Sequence, residues 1–351
     1  MKFVIKHTTL IILLLNTILA GATITGPVND YVLKRNNHTV VFLNAENAYN
    51  YSIKSEFFCK WNAYFDASIR LKKDLSAYSK SENLMMYKSY LKNQCLNWRE
   101  NEIEDVTRLI HDAQERIHSW SKKVLQDTLF LIKTTGKEEF GSYYTNQKAI
   151  VIPKKALKFM AFKAGKRQME EILIHELFHI YSRYNVPERE KLYSMIGFKR
   201  LDTLFIPDEL EQKRITNPDF YDLKYAITLE DSIKGVKKDY IMLLVSKYPK
   251  YDGVKNFIGL FSSLFGYLEV QFHSIDKNGN VEIAQTDLGK DIYDKTGMLS
   301  DYSLGVDEIL AEAFRVFIMM NSEDKNQSSK RDEEIVQKLK AIMESQNLGS
   351  N

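Results

Sequence analysis

The chain has 351 residues, with 49 lysines and arginines against 46 aspartates and glutamates and a formal net charge of +3. A balance this close to zero leaves no electrostatic footprint for nucleic acid or for an anionic lipid surface. Apolar residues at 44% and charged residues at 27% are ordinary for a folded globule.

In chain order, Lys2 and Lys6 precede an apolar core over 8–19, followed by the small residues Ala20, Gly21 and Ala22. This is the pattern of a secretory signal peptide spanning 1–22, with cleavage before Thr23. The apolar run is short of the ~20 residues that span a bilayer, and no cysteine follows the small residues. The mature chain would keep 47 basic against 46 acidic residues. The expectation is an exported protein, periplasmic or secreted, with no stable membrane anchor after cleavage.

Residues 23–126 are expected to form a helical N-terminal region. Within it, 39–43 (Thr-Val-Val-Phe-Leu) is a strand or a leader, and apolar spacing predicts helices over 45–75 and 82–105 with Ser81 as an N-cap. In a helical hairpin bending near residue 77, Cys59 and Cys95 lie equally far from the bend, which predicts a disulfide between them; two buried thiols are the alternative. A third helix runs through Val106, Leu109, Ile110, Ile117 and Trp120. Residues 128–133 form a strand with Thr135-Gly136 as its turn, and 143–153 another hairpin strand ending at Pro153.

The next segment carries the chemistry. His175-Glu176-Leu177-Phe178-His179 lies inside a helix expected over 167–184, flanked by Ile172, Leu173, Ile174 and Ile180. Two histidines four apart lie about 40° from each other around a helix axis, so both imidazoles project from one face. That is a bite for a metal, Zn²⁺ first, and Glu176 is placed to act on a water without occupying a coordination position. A structural histidine pair is the bland alternative, but a buried helix must find each ring a partner.

Catalytic zinc wants three protein ligands and one open position. No third histidine occurs over 182–190. The candidate is Glu308, in a second amphipathic helix in which Glu308 and Glu312 share a face while Ile309, Leu310, Ala313, Phe314 and Phe317 supply the apolar surface. Two carboxylates facing a core need a cation or a donor. Zinc would answer for Glu308, and the free N–H of a zinc-bound histidine for Glu312; a solvated acidic edge is the alternative. Between the two helices, Thr216-Asn217-Pro218-Asp219 signals a turn, and 226–229, 240–245, 265–272 and 281–283 read as strands, the last two joined at 277–280. They form an antiparallel sheet inserted at about 200–295, either bordering the cleft or standing as a remote scaffold. A polar C-terminal stretch follows, with one amphipathic helix near 331–344.

The pair of motifs, His175-Glu176-x-x-His179 and a later Glu308-x-x-x-Glu312, resembles the gluzincin branch of the zincin metallopeptidases. The run Glu308-Ile-Leu-Ala-Glu312-Ala-Phe-Arg is similar to the corresponding helix of anthrax-lethal-factor-type enzymes. The blocks 173–183 and 192–198 resemble a group of uncharacterised bacterial proteins read as metallopeptidases. The resemblance implies one Zn²⁺ on His175, His179 and Glu308, Glu176 as general base and Glu312 as the acid behind a ligand. It also implies an auxiliary tyrosine before the third ligand, for which Tyr302 is the nearest counterpart, one residue closer than the family spacing; Tyr267 and His273 are further candidates. In zincin folds a strand before the motif helix borders the cleft, and 149–152 is the candidate edge, an ordinary internal strand being the alternative. The expected fold is α+β: a zincin-like core over 127–351, the N-terminal helical region and the inserted antiparallel sheet. The expected activity is zinc-dependent hydrolysis of peptide bonds in a peptide or protein substrate. The alternatives are a zinc hydrolase of cell-wall or ester bonds and a non-catalytic binding module on a zincin scaffold.

Overall fold

The computed structural model describes residues 29–35, 38–118, 124–230, 236–253, 263–286, 288–296, 304–320, 334 and 336–341. The expected signal peptide, Trp120, Tyr302 and most of the polar C-terminal stretch lie outside them. Among the described residues no helix is long and apolar enough to cross a membrane.

The architecture is α+β, with one mixed sheet and one antiparallel sheet. The mixed sheet begins with a hairpin of β1 (Tyr31–Arg35) and β2 (His38–Phe42). Helices α1 (Ala45–Ser52), α2 (Phe57–Lys60), α3 (Ala63–Leu71) and α4 (Lys80–Lys92) come next, then the two-residue strand β3 (Cys95–Leu96), helix α5 (Glu100–His118) and strand β4 (Thr128–Thr134). β2 runs parallel along the first half of β4, and β3 runs antiparallel along its end. On the other flank β4 pairs in parallel with β6 (Ala149–Pro153), which pairs antiparallel with β5 (Tyr144–Asn146). The apolar segment at 39–43 is therefore an integral strand.

Local chemistry breaks the two long helices expected here. Lys72, left-handed at φ 56°, ends α3, and Asn62 caps its start by accepting from the Tyr64 N–H. Ser79, two residues before the expected cap, begins α4 with a full capping box to Glu82. After Asn93 the chain turns into β3 rather than continuing helically. That turn overturns the disulfide. Cys95 is a free, buried thiol on a strand, not on a helix of a hairpin, and burial pushes its pKa up to about 12.

β6 leads through α6 (Lys154–Phe159) into the long helix α7 (Lys163–Tyr184) and then α8 (Val186–Met195). The backbone of Asn185 bonds back to Tyr181, and Pro187 restarts the chain at the head of α8. The second sheet is a meander of β7 (Phe198–Arg200), β8 (Tyr225–Glu230), β9 (Lys237–Ser246), β10 (Leu268–Ile275) and β11 (Val281–Thr286), each pairing antiparallel with the next. Short helices α9 (Asp208–Glu211) and α10 (Ser263–Tyr267) interrupt it. The expected strand at 265–272 thus starts as a helical turn. At the β10–β11 turn Gly279 has φ +86°, and a Cβ there would lie 2.5 Å from the Thr203 carbonyl oxygen; both facts require glycine. Helices α11 (Gly289–Thr296) and α12 (Val306–Met320) follow.

One core joins these layers. It runs from Leu129, Leu131, Ile150 and Ile152 of the mixed sheet through Leu173, Leu177 and Phe178 of α7 to Ile309, Leu310, Ala313, Phe314 and Phe317 of α12. Phe178 and Phe314 meet at a centroid distance of 5.2 Å. Val336 and Leu339, in the C-terminal helical stretch at 336–341, join the same core. The α7–α12 seam fixes the positions of the polar residues both helices present beside it.

Candidate metal centre

Helix α7 projects His175 and His179 toward α12, and α12 returns Glu308. The Nε2 atoms of the two imidazoles are 3.0 Å apart. Oε2 of Glu308 lies 3.2 Å from Nε2 of His175 and 3.5 Å from Nε2 of His179. His179 is fully buried and His175 retains one-fifth exposure. Three ligand atoms from residues up to 133 positions apart thus converge and could hold a metal ion. Glu176, His179 and Asp219 form a second, overlapping group of potential donors.

Behind the triad, Oδ2 of Asp307 lies 2.7 Å from Nδ1 of His179. Its Oδ1 accepts from the Ser182 hydroxyl at 2.5 Å and the Tyr193 hydroxyl at 2.7 Å. This sets the tautomer of the neutral His179 ring: with Nδ1 donating to the carboxylate, the proton that the surrounding carboxylates favour would be the one on Nε2, and its loss to a metal would leave that lone pair facing the triad. The expected role of Glu312 shifts accordingly. It faces Nδ1 of His175 across 3.7 Å, too far for a hydrogen bond, and its oxygens are held by Arg315 at 2.6 and 2.9 Å. Arg315 in turn reaches Glu171 of α7 at 2.6 Å, tying the two helices together.

Electrostatics in the cluster are strongly mutual. For His175, burial opposes protonation, but Glu308 and Glu312 outweigh it and the ring is raised to about 9. Glu308 is held well below the carboxylate range because both imidazoles overcome the cost of burial. Burial, then the Asp219 carboxylate, pushes Glu176 up to about 8. Glu176 is buried and its Oε2 has no hydrogen-bond partner.

The turn at 216–219 is part of the site. Asn217 donates from Nδ2 to Oε1 of Glu308 at 2.8 Å. Asp219 accepts from the backbone N–H and the hydroxyl of Thr145, each at 2.6 Å. Arg183 of α7 donates to the carbonyls of Gln147 and Pro218 and to the Thr145 hydroxyl. The expected edge strand is overturned here. β6 lies between β4 and β5, so 149–152 is an internal strand and β5 is the one beside the cleft. The side chain of Asp219 already occupies the outward Thr145 N–H of β5.

Glu176, His175, Glu308 and Asn217 open onto a cleft of about 100 Å³. Its far wall is Ile215, Leu244, Leu264, Leu268 and Leu304, so the inserted sheet borders the site rather than standing remote from it. Tyr143 lines the same cleft, its phenol kept protonated by burial and by the Glu176 carboxylate. Of the other auxiliary candidates, Tyr302 lies outside the described residues. The Tyr267 hydroxyl lies 2.6 Å from both Oδ1 of Asp252 and the Gly253 carbonyl, sharing its one proton between them, and His273 bonds Gln271 and the Glu282 carbonyl; neither residue lines this cleft. Sequence reasoning passed over Asp307, Asn217 and Tyr143. Asp307 was detectable as a second acid beside Glu308, whereas Asn217-Pro218-Asp219 shows in sequence only as turn chemistry. No family model, curated protein or solved structure matches the chain.

Proposed function

We propose that this is the zinc centre of a hydrolase acting on peptide bonds, on a zincin-like core of gluzincin type, in a protein exported by way of residues 1–22. The observation that carries the proposal is the triangle of donor atoms with edges of 3.0, 3.2 and 3.5 Å. Tetrahedral zinc with ligands at about 2.0–2.1 Å requires donor separations of about 3.3 Å. Two neutral imidazoles and a carboxylate are also the donor chemistry of a catalytic rather than a structural site. The orphaned Oε2 of Glu176 supports the fit, since a buried carboxylate oxygen without a partner costs stability unless a ligand or substrate meets it.

His175, His179 and Glu308 would hold Zn²⁺, which when bound would supply Lewis acidity toward a water and a substrate carbonyl. Glu176 takes a proton from the attacking water and passes it to the leaving amine. Its desolvated carboxylate is raised toward neutrality, as an acceptor that later donates must be, and a neighbouring dication acts in the opposite direction. Tyr143 enters as a neutral donor toward the developing oxyanion. The apolar wall of Ile215, Leu244, Leu264, Leu268 and Leu304 fits an aliphatic substrate side chain and keeps water from the reacting atoms.

The test is metal analysis combined with digestion of a peptide library. Wild type should hold one zinc and cleave. Glu176→Gln should keep the zinc and lose turnover by several orders of magnitude, and Glu308→Ala should lose the metal. An active Gln variant would sink the mechanism. Zinc retained by Glu308→Ala would remove Glu308 from the ligand set, and cleavage confined to ester or glycan linkages would reassign the substrate.

A further inference from the structure

The two oxygens of Glu308 have separate partners. Oε2 faces both imidazoles, while Oε1 accepts from Nδ2 of Asn217 at 2.8 Å. Which end of the Asn217 amide faces Glu308 is settled by its other bond: Oδ1 accepts from the Asp219 N–H at 3.0 Å, so the donor end must face the carboxylate. The backbone carrying Asn217 is gripped on both sides. Asp66 accepts from the Thr216 N–H at 2.8 Å and Arg70 donates to the Thr216 carbonyl at 3.1 Å. Arg70 spends its remaining donors on Glu139 and Asp66, so it is a clamp with nothing left for a substrate. On the far side Arg183 donates to the carbonyls of Pro218 and Asp219.

We propose that Asn217 is a positioning residue that keeps Glu308 a one-oxygen ligand. A carboxylate free to rotate can offer both oxygens to a dication and fill the position that a catalytic centre must leave open. With Oε1 occupied by an amide donor on a fixed backbone, only Oε2 is presented to the metal. The helical N-terminal region thereby takes part in metal geometry without touching the metal: α3 supplies Asp66 and Arg70, these hold Thr216, and Thr216 fixes Asn217. The inference rests on the zinc reading of the triad.

The test uses the full chain loaded with Co²⁺ in place of Zn²⁺, in wild type and in Asn217→Ala and Asn217→Ser. Serine keeps a side-chain acceptor for the Asp219 N–H, and with it the turn, but lacks the longer amide arm whose NH₂ reaches Glu308. Wild type should show the intense visible bands of four-coordinate cobalt. Both variants, saturated with metal and with native circular dichroism, should show weakened bands as a second carboxylate oxygen enters, and Zn²⁺ affinity should fall by about 10-fold or more. A role confined to holding the turn would not change the spectrum of a saturated site in the serine variant. Spectra and Kd values within twofold of wild type in both variants would overturn the proposal. Failure of wild type to bind Co²⁺ or Zn²⁺ at all would overturn the metal reading beneath it.

Discussion

Asp307→Asn isolates the carboxylate behind His179 while changing almost no volume. The native carboxylate accepts three bonds: from Nδ1 of His179 at 2.7 Å, from Ser182 at 2.5 Å and from Tyr193 at 2.7 Å. An amide has only one acceptor end. If its oxygen stays with the two hydroxyls, its NH₂ faces Nδ1, which must then accept, and the imidazole proton moves to Nε2, the atom aimed into the triad. If the amide turns over, the hydroxyls lose their acceptor and His179 keeps only a neutral partner. Either orientation forfeits at least one charge-assisted bond, worth about 1.5–3 kcal/mol. At about 1.4 kcal/mol per tenfold, that is about 10- to 150-fold in zinc affinity, the range expected when a partner of a metal-bound histidine is removed. The assay is competition for Zn²⁺ against a chelator of known affinity, with circular dichroism of the metal-free variant to show that it folds. A Kd within threefold of wild type would refute the assignment of Asp307 as the group that sets the tautomer.

Burial raises Glu138 to about 7, with the Thr134 hydroxyl offsetting only part of the effect. The folded state therefore holds this proton after the unfolded chain has lost it, and the resulting stability is full below about pH 4.5 and lost as pH rises through about 7. Chemical denaturation at pH 4.5 and pH 8 should show wild type losing about 3 kcal/mol relative to Glu138→Gln across that interval; parallel pH profiles would count against it. Cys95 should resist alkylation in the native protein and label fully in denaturant without reductant, because it is an isolated buried thiol. Labelling that appears only after reduction would restore the disulfide. Chelation should lower the thermal midpoint and stoichiometric zinc should restore it, with about 2.7 kcal/mol regained at a free concentration one hundred times Kd. An unchanged midpoint would argue that the triad does not bind zinc in the folded state.

The two helices of the centre were legible in sequence because each couples a helical apolar period to polar residues four apart. α7 and α12 lie where those periods put them, and Glu308 reaches both imidazoles. The partners behind the ligands were less legible. Asp307 sits about 100° round the helix from Glu308, a step that sequence spacing alone assigns to a different face, yet Ser182 and Tyr193 from α7 and α8 meet it there. Asn217 acts through tertiary placement by Asp66 and Arg70, some 150 residues upstream, and nothing local to the turn records that. The disulfide expectation failed for a related reason. Symmetry about a bend presumes two uninterrupted helices, and the chain leaves its helix at Asn93 to complete the flank of β4.

The pairing of β4 constrains how this molecule can be dissected. A fragment starting at Thr128 would retain α7 and α12 but would strip β2 and β3 from one side of the strand against which α7's sheet partners are built. It would also remove Asp66 and Arg70 from Thr216. Such a truncation would bare a row of unpaired backbone groups and release the loop that carries Asn217. The minimal unit able to assemble this centre therefore begins at the first hairpin, and a transplant of the two motif helices alone would carry the ligands without the framework that aims them.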